Sequence, residues 1–232
     1  MTHPSKRLRS GITVPLHYPT FRRIWFASLL TNLGILIQGV GAAWAMTQMT
    51  SSADQVALVQ TALMLPVMLI SMPAGAISDM HDRRVVGLVA LSIELVGAIA
   101  LVVLEWFGLT TPNLLLALCF AVGSGMALLW PAWQASVTEQ VPSEALPAAV
   151  ALNGMSYNIA RSVGPAVGGI VLATAGAVAA FALNALLYLP LMFALFLWNR
   201  VAEPSGYHLK NSIARSFLGY ATSLTRQRSR SC

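Results

Sequence analysis

Charge is the scarcest commodity in this sequence. Asp, Glu, Lys and Arg make up only 9% of 232 residues, while 56% are hydrophobic. An ordinary soluble domain carries roughly a quarter charged residues, so this chain has too few charges to cover itself in water. Cysteine is nearly absent as well. Cys119, inside an apolar run, and Cys232, the last residue, cannot build a disulfide framework. All four histidines (His3, His17, His81, His208) fall outside the apolar runs. No spacing of His, Cys, Asp or Glu repeats on one face, so no metal centre is expected. Ser124 has no buried base beside it, and Val122 stands where a rhomboid-type protease would need glycine. Nucleophilic catalysis therefore lacks a partner group. The expectation is no catalytic residue, no metal and no cofactor.

What the chain has instead is six apolar runs, at 24–46, 56–77, 85–107, 114–137, 148–173 and 178–198. Each is about 20 residues or more, enough to cross about 30 Å of hydrocarbon at 1.5 Å per helical residue. None alternates with period two, which argues against a transmembrane barrel. The fold class expected is an all-α integral membrane protein of six spans. Its organisation is a basic N-terminal stretch (1–23), the bundle (24–198) and a basic tail (199–232). Ala43-Trp44-Ala45 has the look of a signal-peptidase site. The preceding apolar run is long for a signal segment, however, and five more follow, so it reads as a span.

The net charge of +6 does not point to nucleic acid, because of where the charges lie. Lys6, Arg7, Arg9, Arg22 and Arg23 precede the first run. Arg83 and Arg84 separate the second from the third, and Arg200, Lys210, Arg215, Arg226, Arg228 and Arg230 follow the sixth. The gaps after runs one, three and five hold no Lys or Arg. If the spans alternate, every basic residue outside them lies on one side, which places both termini in the cytoplasm. The partner expected is a lipid bilayer.

Polar groups inside the runs are the informative ones, because a charge at the bilayer centre costs at least about 2.5–3.5 kcal/mol. Glu94 and Arg161 stand out. Each has two readings: a proton-linked carboxyl and a fixed cavity charge, or groups satisfied within the bundle. Asn32, Gln38 and Gln60 are weaker cavity candidates, with Asn153, Asn158 and Asn184, since amides in membrane helices also bond between helices. Aromatic residues read mostly as lipid-facing or helix-facing, and Trp25, Trp106 and Trp198 as interfacial anchors. Gly123-Ser124-Gly125 allows close helix contact. Pro165, among Gly164, Gly168 and Gly169, is expected to kink its helix.

One short stretch ties these together. GAISDMHDRR (75–84) sits between the second and third runs and resembles the signature loop of the major facilitator superfamily, in Gly75, Asp79, Arg83 and Arg84. FRRIWFASLLTNLG, VALVQTALMLP, PAWQASVTEQVPSEALPAAVALNG and NIARSVGPAVGG resemble the superfamily's branch of drug and siderophore efflux transporters, which includes the enterobactin exporter. The resemblance implies export of a small molecule by alternating access with proton antiport, in a bacterial inner membrane. It implies a cytoplasmic gating loop. There Gly75 permits tight helix approach, Asp79 faces a helix N-terminus of the other half, and Arg83 pairs with an acid for which Glu139 is available. It also implies an exporter-type motif in span five, comprising Asn158, Arg161, Gly164, Pro165, Gly168 and Gly169.

Three residues depart from that pattern. Met80 stands for a basic residue, Asp82 for a glycine, and Cys119 where the wider superfamily carries an arginine. Transporters of this superfamily are two six-helix halves with the substrate between them, and this sequence supplies one. NSIARSFLGYATS resembles the linker to a second half, and LTRQRSRSC then ends the chain. Two readings follow. The chain works when completed by a second half or by a copy of itself, or it is a truncated, non-transporting fragment that at most dimerises or modulates a transporter.

Overall fold

A computed structural model describes residues 11–198, without the side chain of Asp79. Five helices carry nearly all of them: α1 (Pro19–Met49), α2 (Ala53–Met80), α3 (Arg83–Trp106), α4 (Pro112–Gln140) and α5 (Leu146–Phe196). All five are long and apolar enough to cross a membrane. No strand occurs among the described residues. The tail 199–232, with its basic residues and Cys232, lies outside the described residues, as do Lys6, Arg7 and Arg9.

Helix ends follow local chemistry. Pro19 opens α1 at the position where a missing N–H costs nothing and a fixed φ helps. The helix thus starts five residues before the apolar run, and a 3₁₀ turn (Val14–His17) precedes it. Phe21 is fully buried against Val137, Val141 and Ala149, so the bundle reaches back into the stretch expected to be terminal. Asp82 caps α3, its Oδ1 accepting the Arg84 N–H at 2.9 Å. Gly108, at φ 64°, ends α3 by bonding back to Glu105 while Leu109 bonds to Leu104. That is a left-handed C-terminal cap, which glycine adopts without strain.

The 51-residue α5 would extend about 77 Å if straight, more than twice the hydrocarbon thickness. It breaks at Gly176 (φ 76°, ψ −177°), where two helical arms meet, and not at Pro165, over which the helix continues. Packing shows the reversal. A Cβ placed on Gly164 would meet Leu33 and Leu36 of α1, and one on Gly168 would meet Ile37 and Val40. A Cβ on Gly41 would meet Ala180 and Phe181, and one on Gly34 would meet Asn184 and Leu187. The first arm therefore climbs α1 and the second descends it.

Three apolar clusters hold the bundle. One joins Phe21 and Trp25 of α1 to Val137 of α4, Val141 just after it, and Ala149 and Leu152 of α5. A second gathers Ile24, Ala90, Leu91, Leu129, Tyr188 and Leu195. A third sits at the opposite end, around Met46, Leu63, Leu101, Leu115, Cys119 and Phe181. Small residues set the spacing: Gly123 lies on the Leu63 backbone of α2, and Gly125 lies against Ala90 and Glu94 of α3. Two expected anchors belong to this interior. Trp25 is 8% exposed with its Nε1–H donating to the Leu152 carbonyl at 2.9 Å, and Trp198 is 7% exposed within the second cluster. Trp106 is exposed at a helix end.

Candidate functional site

The interior contains a cavity of about 260 Å³ walled by α1, α4 and the first arm of α5, with Leu191 of the second arm. From α1 come Ser28, Thr31 and Asn32, within about one turn of one another. From α4 come Trp130, Trp133 and Gln134, and from α5 come Asn153, Tyr157 and Asn158. No lining side chain carries a formal charge. Trp130 and Tyr157 meet edge to face, 5.4 Å between centroids at 87°, and join α4 to α5 at the wall. Asn32 lies within 3.5 Å of the Ser156 hydroxyl. Asn158 donates to the Gly154 carbonyl of its own helix at 2.9 Å, and its side chain stays exposed. The Asn153 Oδ1 is buried and accepts no hydrogen bond.

The exposed side of that arm continues the polar surface. Asn158, Arg161, Ser162, Pro165 and Gly169 recur at three- and four-residue spacings and are all exposed, whereas Gly164 and Gly168 are buried against α1. The span-five motif is thus split between two faces of one helix. Its glycines 164 and 168 pack, and its polar members open outward. Arg161 makes no hydrogen bond or ion pair with another described residue.

Of the amide candidates, Asn32, Asn153 and Asn158 line the space, and Gln38, Gln60 and Asn184 do not. Gln38 is buried, its Oε1 accepting from Asn184 Nδ2, so the amide pair ties α1 to the second arm of α5. Gln60 is exposed on α2, apart from the cavity wall. Glu94 is fully buried between α3, Gly125 of α4 and Tyr188 of α5, and its carboxyl and the Tyr188 hydroxyl fall short of hydrogen-bond geometry. Leu129 and Leu191 separate this group from the cavity, since both belong to the buried cluster and to the cavity wall.

At the end of the bundle, the α2–α3 loop is tied to α4 and α5. Arg83 Nη1 donates to the Ala135 carbonyl at 2.8 Å and to Glu139 Oε1 at 3.0 Å. Arg84 donates to the Phe196 carbonyl and lies 5.8 Å over the Phe196 ring. A Cβ on Gly75 would meet nothing within 4 Å, so no neighbour among the described residues needs a glycine there. The side chain of Asp79 lies outside the described residues.

Sequence reasoning missed Trp130, Trp133, Gln134 and Tyr157, because aromatic residues in apolar runs look like lipid contacts. The usable signal was Gln134 four residues after Trp130, matched by Asn158 and Tyr157 four residues after Gly154 and Asn153.

Comparison with known proteins gives this arrangement its family. Residues 10–222 match a family of the major facilitator superfamily described as transmembrane secretion effector. The multidrug efflux pump Tap of Mycobacterium tuberculosis is 31% identical over 163 residues, 67% of this chain and 38% of that protein. Tap of Mycolicibacterium fortuitum is 30% identical over 167 residues, covering 67% and 39%. The staphyloferrin A transporter of Staphylococcus aureus is 29% identical over 163 residues, covering 70% and 41%. The chain spans about two fifths of the length of the curated relatives it matches. It belongs to the transmembrane secretion effector family of the major facilitator superfamily, as a multi-pass protein of the bacterial plasma membrane.

Proposed function

We propose that the chain forms one six-helix half of an exporter for small drug-like or siderophore-like molecules, working by alternating access once a second half completes it. The two arms of α5 are then separate spans, and both termini are cytoplasmic, as the basic residues predict. The observation that carries the reading is the cavity, where amides and indoles interrupt an otherwise apolar wall, beside the exposed Asn158–Arg161 face. A polar surface inside a chain this apolar is costly unless it meets water, substrate or a partner helix. The second half comes from further sequence, a second polypeptide or a copy of this chain.

In this reading Arg83 and Glu139 clamp the α2–α3 loop to α4, while Asp79 reaches toward the other half. Proton antiport would use Glu94, the carboxyl enclosed by three helices. The test is dye accumulation in an efflux-deficient bacterium expressing the chain alone or with a matching second half. Export is expected from the completed pair, with loss in Asn32→Leu. Glu94→Gln should leave export unaffected by an imposed proton gradient. Export that ignores Asn32→Leu and Trp130→Ala would place the pathway elsewhere and sink the proposal.

A further inference from the structure

The cavity is neutral along its whole wall, yet the next turn of α5 carries a cation that pairs with no other described residue. Arg161 stands one helical turn beyond Tyr157 and Asn158, which line the cavity, and just outside that wall. The guanidinium is exposed and has no acid or carbonyl partner among the described residues. The arginines of the α2–α3 loop behave differently: Arg83 holds Glu139 and Ala135, and Arg84 holds Phe196. On the cavity wall itself the Trp130 and Tyr157 rings are locked edge to face by each other and offer an aromatic surface.

From these we infer that the cavity takes an aromatic organic anion, with its ring against Trp130 and Tyr157 and its acid group on Arg161. This rests on the reading of the cavity as a substrate site and adds the substrate's charge. The cation sets the preference because a charge-assisted hydrogen bond is about twice as strong as a neutral one. A neutral ring of the same shape would fill the cavity and leave the guanidinium as it is. A cationic one would meet it as a like charge.

The test uses the purified chain in zwitterionic nanodiscs at fixed ionic strength and pH 7, titrated with three isosteric quenchers of tryptophan fluorescence: 4-nitrobenzoate, 4-nitrobenzamide and 4-nitrobenzylammonium. We expect saturable quenching by nitrobenzoate at a concentration about tenfold below that for nitrobenzamide, and weaker still for the ammonium compound. Arg161→Gln should bring nitrobenzoate to parity with nitrobenzamide, and Arg161→Lys should retain most of the preference. Equal or tighter binding of the neutral or cationic probe to the unaltered chain would overturn the anion while leaving the cavity a substrate site. A preference that survives Arg161→Gln would overturn the role of Arg161. Absence of saturation with all three probes would remove the cavity reading itself, and the inference with it.

Discussion

Four glycines of this bundle predict different outcomes for the same substitution. At Gly125 an added Cβ would stand 2.5 Å from Glu94 Cγ and 2.9 Å from the Ala90 carbonyl oxygen. The carbonyl belongs to the backbone of α3 and cannot rotate away, so α3 and α4 must part by several tenths of an ångström. Overpacking of this kind costs about 1–3 kcal/mol. At Gly154 and Gly169 a Cβ meets nothing within 4 Å, and both lie in a helical arm where alanine gains up to about 1 kcal/mol over glycine. That propensity gain is common to Gly125, so it cancels between the sites. Gly125→Ala is therefore expected about 1–3 kcal/mol less stable than Gly154→Ala.

Gly176 separates crowding from strain. Its Cβ would also meet open space, but φ 76° with ψ −177° belongs to a region essentially reserved for glycine. Gly176→Ala should lose about 1–3 kcal/mol, and Gly176→Val little more, whereas Gly125→Val should be clearly worse than Gly125→Ala. The assay is unfolding of the purified variants in mixed dodecyl maltoside and SDS micelles, followed by circular dichroism. The reasoning is refuted if Gly125→Ala matches Gly154→Ala within about 0.5 kcal/mol, the spread of ordinary surface substitutions.

Arg83 makes both of its bonds through one nitrogen, Nη1, so a lysine ammonium can replace it. Arg83→Lys should keep export by the completed transporter near its starting rate, while Arg83→Gln should lower it severalfold; equal loss in both would show that the guanidinium shape matters. The Gln38–Asn184 pair is enclosed, and removing one partner leaves a buried amide orphaned at a cost of about 1–3 kcal/mol. In the same unfolding assay Asn184→Leu should therefore be more damaging than Asn184→Leu with Gln38→Leu, and additive losses would contradict the pairing. A nitroxide at Ser162→Cys, with Cys119 and Cys232 replaced by serine, should relax faster with a water-soluble nickel chelate than with oxygen; the reverse order would put the Arg161 face in lipid.

The helices themselves were legible because the bilayer imposes their length. Each apolar run in the sequence falls within one described helix or one arm of α5, apart from short overhangs at 107 and at 197–198. The ends moved outward, as at Pro19 and Gln140, because a helix once formed continues into polar residues that hydropathy counts as loop. The meeting of Arg83 and Glu139 came from a family resemblance, since nothing local in either residue announces a partner 56 positions away. The Gln38–Asn184 pair was invisible for the same reason, at a separation of 146.

Inside and outside were harder to tell apart, and the cause is the solvent. In water an apolar side chain is pushed inward, so burial can be read from composition. In lipid, Leu69 at 63% exposure and Leu91 at 0% obey the same preference, because both neighbours are hydrocarbon. Aromatic residues share this ambiguity, so composition does not separate Trp130 on the cavity or Trp25 and Trp198 in the core from lipid-facing or interfacial tryptophans. Polar atoms alone keep their information, since each needs a partner. Those with partners in the bundle, such as Gln38, Thr31 on the Leu187 carbonyl at 3.3 Å, and the Trp25 indole, mark helix contacts. Arg161 has no such partner among the described residues, and an arginine side chain facing lipid at mid-span costs at least about 2.5–3.5 kcal/mol. Hydrocarbon is therefore the one surrounding that this face of α5 disfavours.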